Sequence, residues 1–200
     1  MKTDNFGFTH KTGILLPISA LPSKYGIGDF GKCAFDFVDF LDETKQKCWQ
    51  VLPLNPTSYG DSPYQSPAAC AGNPYFIDLD LLCEQKLLKK SDYNRINWGK
   101  NPEKVDYNKL SANRLKVLRK AFNNFIPDEK YIKFCNENSF WLDDFALYMA
   151  IKDSYNGKPW NEWDKDIILR KKDALNVEVT PKKQEIIDVE ETIDNSLVKE

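Results

Sequence analysis

Hydrophobic residues follow two kinds of spacing in the first quarter of this chain. Residues 13–18 are a short apolar run that predicts a buried strand. From Asp29, a favourable N-cap residue, apolar side chains recur at helical spacing through Leu41. Residues 48–54 are a second apolar run and predict another strand. Strand, helix and strand in this order form a βαβ unit, so we expect parallel strands that are covered on both faces.

Helical spacing dominates the rest of the sequence. It predicts a short helix or turn-rich segment and then three helices, at residues 77–89, 108–125, 128–138 and 140–154. Gly157 and Pro159 should end the last of these helices. Only two central strands are predicted, and two parallel strands cannot bury both of their edges. The pattern therefore indicates the opening of a larger α/β protein.

Residues 176–200 differ in composition from everything before them. They contain no aromatic residue, and seven acidic residues stand against three lysines. Such a segment buries little apolar surface, so we expect a poorly ordered tail.

Some twenty residues after the second strand show neither helical nor strand periodicity. Prolines restrict the backbone of this segment, at Pro56, Pro63, Pro67 and Pro74. It also carries Tyr59, Tyr64 and Tyr75. A long, stiff loop that bears aromatic residues and follows a strand is typical of a binding platform. A structural loop whose tyrosines merely pack is equally compatible with the composition.

Aromatic residues in turn or loop contexts suit carbohydrate. They are Tyr59, Tyr64, Trp160 and Trp163. Sugars present weakly polar C–H faces to flat rings, and their hydroxyl groups need hydrogen-bonding neighbours. Ser62, Gln65 and Asn73 supply such groups beside the tyrosines. Packing and a proline-rich protein interface remain alternatives to a sugar site.

Two further motifs favour structural roles. Gly26 to Gly31 satisfy G-x-G-x-x-G, but they do not follow the first strand directly, as a dinucleotide site requires. These glycines are expected to let a tight loop enter the helix. Asp143 and Asp144 are adjacent on a helix and point about 100° apart, so a solvated face is the better interpretation than acid–base chemistry.

Composition excludes several classes of function. The net charge is −2, which points to neither nucleic acid nor an anionic membrane, and no apolar run is long enough to span a bilayer. The single histidine, His10, leaves no plausible zinc set and no Ser-His or Cys-His dyad. Five cysteines without a C-x-x-C pair indicate free buried thiols in a reducing cytoplasm: Cys33, Cys48, Cys70, Cys83 and Cys135.

Several blocks of this sequence resemble the 4-α-glucanotransferases, also called amylomaltases or disproportionating enzymes. They read GILLPISALPSKYGIGDFG at 13–31, WQVLPL at 49–54, PTSYGDSPYQS at 56–66 and AGNPYFID at 71–78. FWLDDFALYMA at 140–150 and KPWNEW at 158–163 match further along the chain. The resemblance covers about residues 6–175 and stops abruptly there.

The resemblance implies a (β/α)₈ TIM barrel with an inserted, mainly helical subdomain, of which this α/β chain holds the N-terminal part. Residues 1–54 would be the first strand–helix–strand unit, 55–175 the substrate-binding loop and helical insertion, and 176–200 a divergent tail. The implied activity moves an α-1,4-glucan segment to the 4-hydroxyl of an acceptor glucan, through a retaining double displacement. It implies no cofactor and no metal, and a cytoplasmic enzyme that acts on maltooligosaccharides or amylose.

Four residues of the loop are carried over from the family pattern. Tyr64 matches the tyrosine of the S-P-Y-Q motif that packs against the donor sugar, and Tyr59 matches a tyrosine of a second glucan site in some members. Ser62 and Gln65 are donor-side hydrogen-bonding candidates by position. Asn73 is expected to serve loop architecture.

The family's catalytic carboxylates have no counterpart in these 200 residues. No catalytic residue is therefore assigned, and we expect the chain alone to be inactive, with a C-terminal barrel portion as its missing partner. A non-catalytic glucan-binding remnant and a truncated gene product are the alternatives, and a proline-rich adaptor ranks last. The chain also departs from the family pattern at Asn55, where glycine is usual, and at Pro67 and Cys70, which replace phenylalanines.

Overall fold

The computed structural model describes residues 11–101, 103–175, 183 and 187, without the side chains of Tyr59 and Lys172. The first strand, β1, is Gly13–Leu15, the first helix, α1, is Lys32–Glu43, and the second strand, β2, is Cys48–Gln50. The strands pair in parallel, with Ile14 opposite Trp49. The predicted βαβ unit is thus confirmed, although each strand has only three residues.

The prediction that both faces of the strands are covered was wrong. Leu15 is 55% exposed, and Cys48 and Gln50 on β2 are exposed as well. On the inward face, the Phe37 ring of α1 packs edge-on against Trp49, with ring centroids 4.8 Å apart. One helix covers one face of two strands, and nothing in the described part of the chain covers the other.

Helix α1 begins later than predicted, with Gly31 rather than Asp29 at its N-cap. The Asp29 carboxylate instead accepts hydrogen bonds from the Ser23 hydroxyl (3.1 Å) and the Gly31 amide (3.1 Å). Asp29 therefore stabilises the loop that precedes α1 and does not cap the first amides of the helix.

The next two helices follow the predicted segments with shifted ends. Helix α2 is Leu79–Glu84, and Asp78 caps it by accepting from the Leu81 amide (3.0 Å). Helix α3 is Tyr107–Phe122, and Asp106 caps it by accepting from the Lys109 amide (3.2 Å). Both caps are carboxylates, which satisfy free amides and complement the positive end of the helix dipole.

The two helices predicted at 128–138 and 140–154 are one helix, α4, at Glu129–Ser154. The polar residues at the expected break turn back onto the helix, where Asn138 donates to the Phe134 carbonyl (3.0 Å) and Ser139 to the Asn136 carbonyl (3.0 Å). The predicted C-terminal end is confirmed, with Gly157 at φ +78°. Two short helices follow, α5 at Lys165–Ile168 and α6 at Lys172–Leu175.

The hydrophobic core centres on the segments around the strands. Its sixteen buried residues come from the loop after β1, from the segment that precedes α2, from α1, α2 and α3, and from the segment between α2 and α3. Smaller clusters line α4, one around Phe134 and Leu142 and one around Ala150 and Ile151. Ile187 is buried in the first of these. The predicted poor order of 176–200 otherwise concerns residues outside the described ones.

None of the five cysteines is buried, so the prediction of buried thiols was wrong. Cys48 and Cys70 are exposed, and Cys33, Cys83 and Cys135 are partly exposed. Cys48 lies on the uncovered face of β2, and Cys70 lies in the proline-rich loop. In both places the apolar residues next to the cysteine in sequence do not enclose its thiol. Among the described residues, no helix is both long and apolar enough to traverse a lipid bilayer.

Candidate functional site

Two loops leave the same end of the sheet because the strands are parallel. One follows β1 and runs to Gly31, and the other, residues 53–74, follows β2. A cavity of about 30 Å³ lies between them, and residues of both loops line it, including Ile18 and Ile27 from the first and Leu54 and Asn73 from the second. The loops are thus in contact at their bases, and they rise from one edge of the fold.

Tyr64 is largely exposed to solvent. Its side chain is 73% exposed, and its amide donates to the Ser62 hydroxyl oxygen (3.3 Å). Gln65 is exposed next to it, while Ser62 is half-buried. The Gln65 amide donates to the Ser62 carbonyl (3.1 Å). Ser62, Tyr64 and Gln65 therefore form one tight turn that presents the Tyr64 ring outward.

The long loop is closed at its base by its own polar groups. The Asn55 side-chain amide donates to the carbonyls of Ala69 (2.7 Å) and Ala71 (3.1 Å). The Asn73 amide donates to the Leu54 carbonyl (2.8 Å). Together with the prolines, these bonds fix the loop before a ligand arrives, so that little ordering entropy remains to be lost on binding.

Other predicted loop residues divide between architecture and surface. Asn73 is buried and its side chain accepts from the Tyr75 amide (3.0 Å), which confirms its architectural role. Pro67 and Cys70 are exposed, so neither side chain packs beneath the loop. The Tyr59 side chain lies outside the described residues, and its backbone belongs to the short 3₁₀ turn Tyr59–Asp61.

The aromatic turn after α4 belongs to a different cluster. Trp163 donates through its indole to the Lys158 carbonyl (3.0 Å), and its ring stacks on Tyr155 with centroids 5.9 Å apart. Trp163 therefore packs against the apolar cluster on α4, whereas Trp160 is mostly exposed. The predicted grouping of these tryptophans with the loop tyrosines draws no support from the described contacts.

A fully buried arginine, Arg114, holds the far end of the loop. Its Nη2 atom donates to the carbonyl of Tyr75 (2.9 Å) and, through a shorter bond, to that of Ile77. Its guanidinium lies 5.7 Å from the centre of the Trp98 ring. Its Nε and Nη1 atoms have no hydrogen-bond partner within the described part of the chain. Through the side chain of Arg114, helix α3 thus holds the backbone that directly follows the long loop.

Two buried carboxylates lie in the field of Arg114. The pKa of Asp29 is raised to about 6, mainly by burial and then by the neighbouring charge of Asp78, while Arg114 opposes both effects. Burial likewise lowers the pKa of Arg114 to about 10, so that the arginine is still charged at neutral pH. Both carboxylates accept backbone hydrogen bonds, and neither faces solvent. Their arrangement stabilises the loops and does not suit attack on a ligand.

Sequence reasoning missed Arg114 and the role of Asn55. Arg114 occupies a position of the apolar stripe of α3, where the buried residues are Leu110, Arg114, Val117, Leu118 and Ala121. A charged residue on the buried face of a helix is the signal that would have found it. No local pattern marks Asn55, because its partners lie 14 and 16 residues further along the chain.

The acidic pair on α4 has the structural role that was predicted. Asp143 pairs with Lys183, and Asp144 pairs with Arg170; both carboxylates are exposed, whereas Lys183 is half-buried. The glycine motif is also structural, since Gly31 caps α1 and Gly26 has φ +87°. Neither motif brings a carboxylate or a phosphate-binding turn to the loop that carries Tyr64.

Comparison with known proteins gives consistent matches. A family model described as 4-alpha-glucanotransferase matches residues 16–193, well past Leu175, where the resemblance was expected to end. The 4-alpha-glucanotransferase of Clostridium butyricum is 54% identical over 160 residues, covering 79% of this chain and 33% of the relative. That of Streptococcus pneumoniae is 51% identical over 169 residues, covering 82% of this chain and 34% of the relative.

A solved structure agrees with these sequence matches. The amylomaltase from Streptococcus agalactiae in complex with acarbose superposes with a TM-score of 0.88 at 40% identity. The match covers 94% of this chain and 39% of that structure. The chain spans about a third of the length of the curated relatives it matches.

Proposed function

This chain belongs to the 4-alpha-glucanotransferase family, and on that premise we propose that its Tyr64 loop binds a glucose unit of an α-1,4-glucan. The observation that carries the proposal is the exposure of Tyr64, 73%, on a loop whose base is closed by hydrogen bonds. A hydrophobic ring held in solvent by a fixed backbone is a ready face for the C–H groups of a sugar. The similar amylomaltase in complex with acarbose supports this choice of ligand.

Neighbouring polar groups define how the sugar would sit. The exposed Gln65 amide and the half-buried Ser62 hydroxyl flank Tyr64 in the same turn, and both can hydrogen-bond to sugar hydroxyls. Tyr59 lies five residues away and is proposed as part of a second contact with the same polymer. Because the turn is fixed, these groups would bind one orientation of the ring.

For the whole protein we propose transfer of α-1,4-glucan segments by a retaining double displacement. One carboxylate attacks the anomeric carbon as a carboxylic acid protonates the departing glucosidic oxygen. The acceptor's 4-hydroxyl then attacks that carbon, gives its proton to the same acid/base group and releases the first carboxylate. The buried Asp29 and Asp78 are unsuited to either role, since hydrogen bonds to the backbone occupy both.

Transfer is therefore proposed to need polypeptide beyond these residues, in the form of the remaining barrel strands. The two described strands form a two-stranded sheet. Apolar side chains are exposed around it, at Leu15, Val38 and Phe40. Further parallel strands would cover that surface and pair with the free edges. No disulfide joins the five cysteines, which supports the proposal of a cytoplasmic location for the enzyme.

A non-catalytic glucan-binding chain is the second candidate. The loop and all of its described anchors lie between Pro53 and Arg114, which supports binding by this chain without further polypeptide. Glucan binding and glucan transfer can therefore be tested separately, because transfer requires catalytic groups and binding does not.

Calorimetric titration with maltoheptaose tests the glucan site. We expect saturable binding to the 200-residue chain, and a loss of about fivefold in affinity for Tyr64→Ala, since stacking on a ring face is worth about 1 kcal/mol. Tyr64→Phe should keep most of the affinity. The matched control is Phe140→Ala, because Phe140 is 78% exposed on α4. A folded chain that gives no heat with maltoheptaose, or equal losses for both alanine variants, would refute the site.

A further inference from the structure

A cleft of about 490 Å³ opens beside the first loop, away from Tyr64. One wall is the loop after β1, residues 19–28, and the other is formed by residues 98–101 and 103–105, which precede α3. Small-molecule sites typically measure roughly 300–1,000 Å³. The cleft is therefore large enough for a ligand the size of one or two sugar rings.

Close backbone contacts fix the walls of the cleft. A β-carbon on Gly26 would lie 2.8 Å from the Trp98 carbonyl oxygen, and one on Gly28 would lie 2.0 Å from that of Ile18. Tyr25, which directly precedes Gly26, is buried and donates its hydroxyl to Asp80 (2.9 Å). The two walls meet at Gly26, where only glycine fits, and Gly28 packs closely within the first wall. The cleft therefore exists before any ligand binds.

The charge on the cleft is positive, in a chain whose net charge is −2. Three exposed lysines line it, Lys24, Lys100 and Lys104, against the single carboxylate of Glu103. None of the three takes part in an ion pair with another described residue. Three ammonium groups on one small cleft, without an ion-pair partner in the described part of the chain, favour an anionic ligand.

The aromatic residue of the cleft is not available for stacking on a sugar. Trp98 is buried, with the Arg114 guanidinium over its ring and Tyr25 against its edge. Lysine ammonium groups are compact point charges that suit phosphate oxygens. The volume far exceeds that of a bare phosphate, and Asn101 adds a hydrogen-bonding group for hydroxyls.

We propose that this cleft binds a phosphate monoester carried on a sugar-sized polar molecule. The three lysines hold the phosphate, and the remaining space takes the polar body. This site is independent of the proposed glucan contact at Tyr64, because it uses other residues and another chemistry.

The test is a titration of the 200-residue chain with glucose 6-phosphate, with glucose and inorganic phosphate as separate arms at the same ionic strength. We expect saturable binding of glucose 6-phosphate, weaker binding of inorganic phosphate and none of glucose. Each single substitution among Lys24→Gln, Lys100→Gln and Lys104→Gln should weaken binding about threefold, as expected for exposed charge pairs. The triple variant should lose at least about tenfold.

Two controls separate this site from the rest of the molecule. Lys116→Gln, an exposed lysine on α3 outside the cleft, should bind glucose 6-phosphate as the parent chain does. Tyr64→Ala should also bind it normally, so that failure of the glucan proposal would leave this one standing. All three cleft lysines are exposed, so the triple variant should melt at the parent temperature. Unchanged binding in that variant, equal affinity for inorganic phosphate, or binding of glucose itself would overturn the proposal.

Discussion

Gly31 packs so closely against Asp78 that a β-carbon on the glycine would lie 1.6 Å from the Asp78 Oδ2 atom. The same β-carbon would lie 2.8 Å from Oδ1 of Asp29. The start of α1 and the start of α2 therefore meet at a position where only hydrogen fits. This contact joins the loop after β1 to the end of the loop that carries Tyr64.

Replacing Gly31 with alanine should destabilise the fold by about 3 kcal/mol, because the added methyl group must displace a buried carboxylate. Urea unfolding followed by circular dichroism measures the change. Gly157→Ala is the matched control, since nothing lies within 4 Å of that position and only its φ of +78° opposes a side chain. That control should cost about 1 kcal/mol. Equal losses for the two variants would contradict the proposed crowding at Gly31.

Replacing Arg114 with methionine should destabilise the fold by about 3–5 kcal/mol, because two buried carbonyls lose their donor and two buried carboxylates lose their neighbouring cation. The control is Arg119→Met on the same helix, whose partner Asp153 is exposed. An exposed ion pair contributes at most about 1 kcal/mol. Chemical denaturation of the two variants at pH 7 distinguishes these magnitudes, and similar midpoints would count against the anchoring role of Arg114.

The raised pKa of Asp29 predicts a pH dependence of stability. The folded state holds the proton up to about pH 6, whereas the unfolded chain releases it near pH 3.8. This group therefore stabilises the fold fully below about pH 4, and its contribution is lost as the pH rises through 6. The loss amounts to about 3 kcal/mol for a shift of this size.

Asp29→Asn isolates that contribution, since the amide keeps an acceptor for the Gly31 amide without the charge. The difference in unfolding free energy between variant and parent should grow in favour of the variant from pH 4 to pH 7. Other carboxylates titrate in both proteins and cancel in the difference. A difference that does not change with pH would show that Asp29 is ionised throughout this range.

Asn55→Gly should weaken the binding of maltoheptaose about fivefold. The substitution removes two hydrogen bonds that close the base of the loop, and we expect these bonds together to contribute about 1 kcal/mol to binding. The unfolding free energy should fall by no more than that amount. Calorimetric titration of the variant beside the parent measures the affinity. Binding as tight as that of the parent would mean that the prolines alone fix the loop.

The 200-residue chain should not disproportionate maltotriose, because the described buried carboxylates are engaged with backbone amides. Chromatography of the products after long incubation measures the activity. Maltotetraose and maltose in the reaction, absent from a heat-denatured control, would contradict this expectation and rule out a purely binding role.

Local pattern was sufficient for the elements whose determinants are close in sequence. Apolar spacing and capping residues located α1, α2 and α3, and glycine with a following proline located the end of α4. It failed where a side chain could bond in more than one way. Asp29 turned back to its own loop, and the polar residues near 138 bonded along the helix, so one cap was misplaced and one helix was divided.

The sequence by itself determined the parallel βαβ start, the proline-stiffened loop with Tyr64 at its exposed turn, and the family, because each depends on residues that are neighbours in the chain. Only the tertiary structure decided that Arg114 and Asn55 hold that loop, that Gly31 must lack a side chain, and that the lysines of two separate segments share a cleft. Those relationships join residues that lie about 14 to 80 positions apart, and no local spacing rule encodes such distances. Packing and electrostatic interactions act through space, so the partners of these residues could be identified only from the fold.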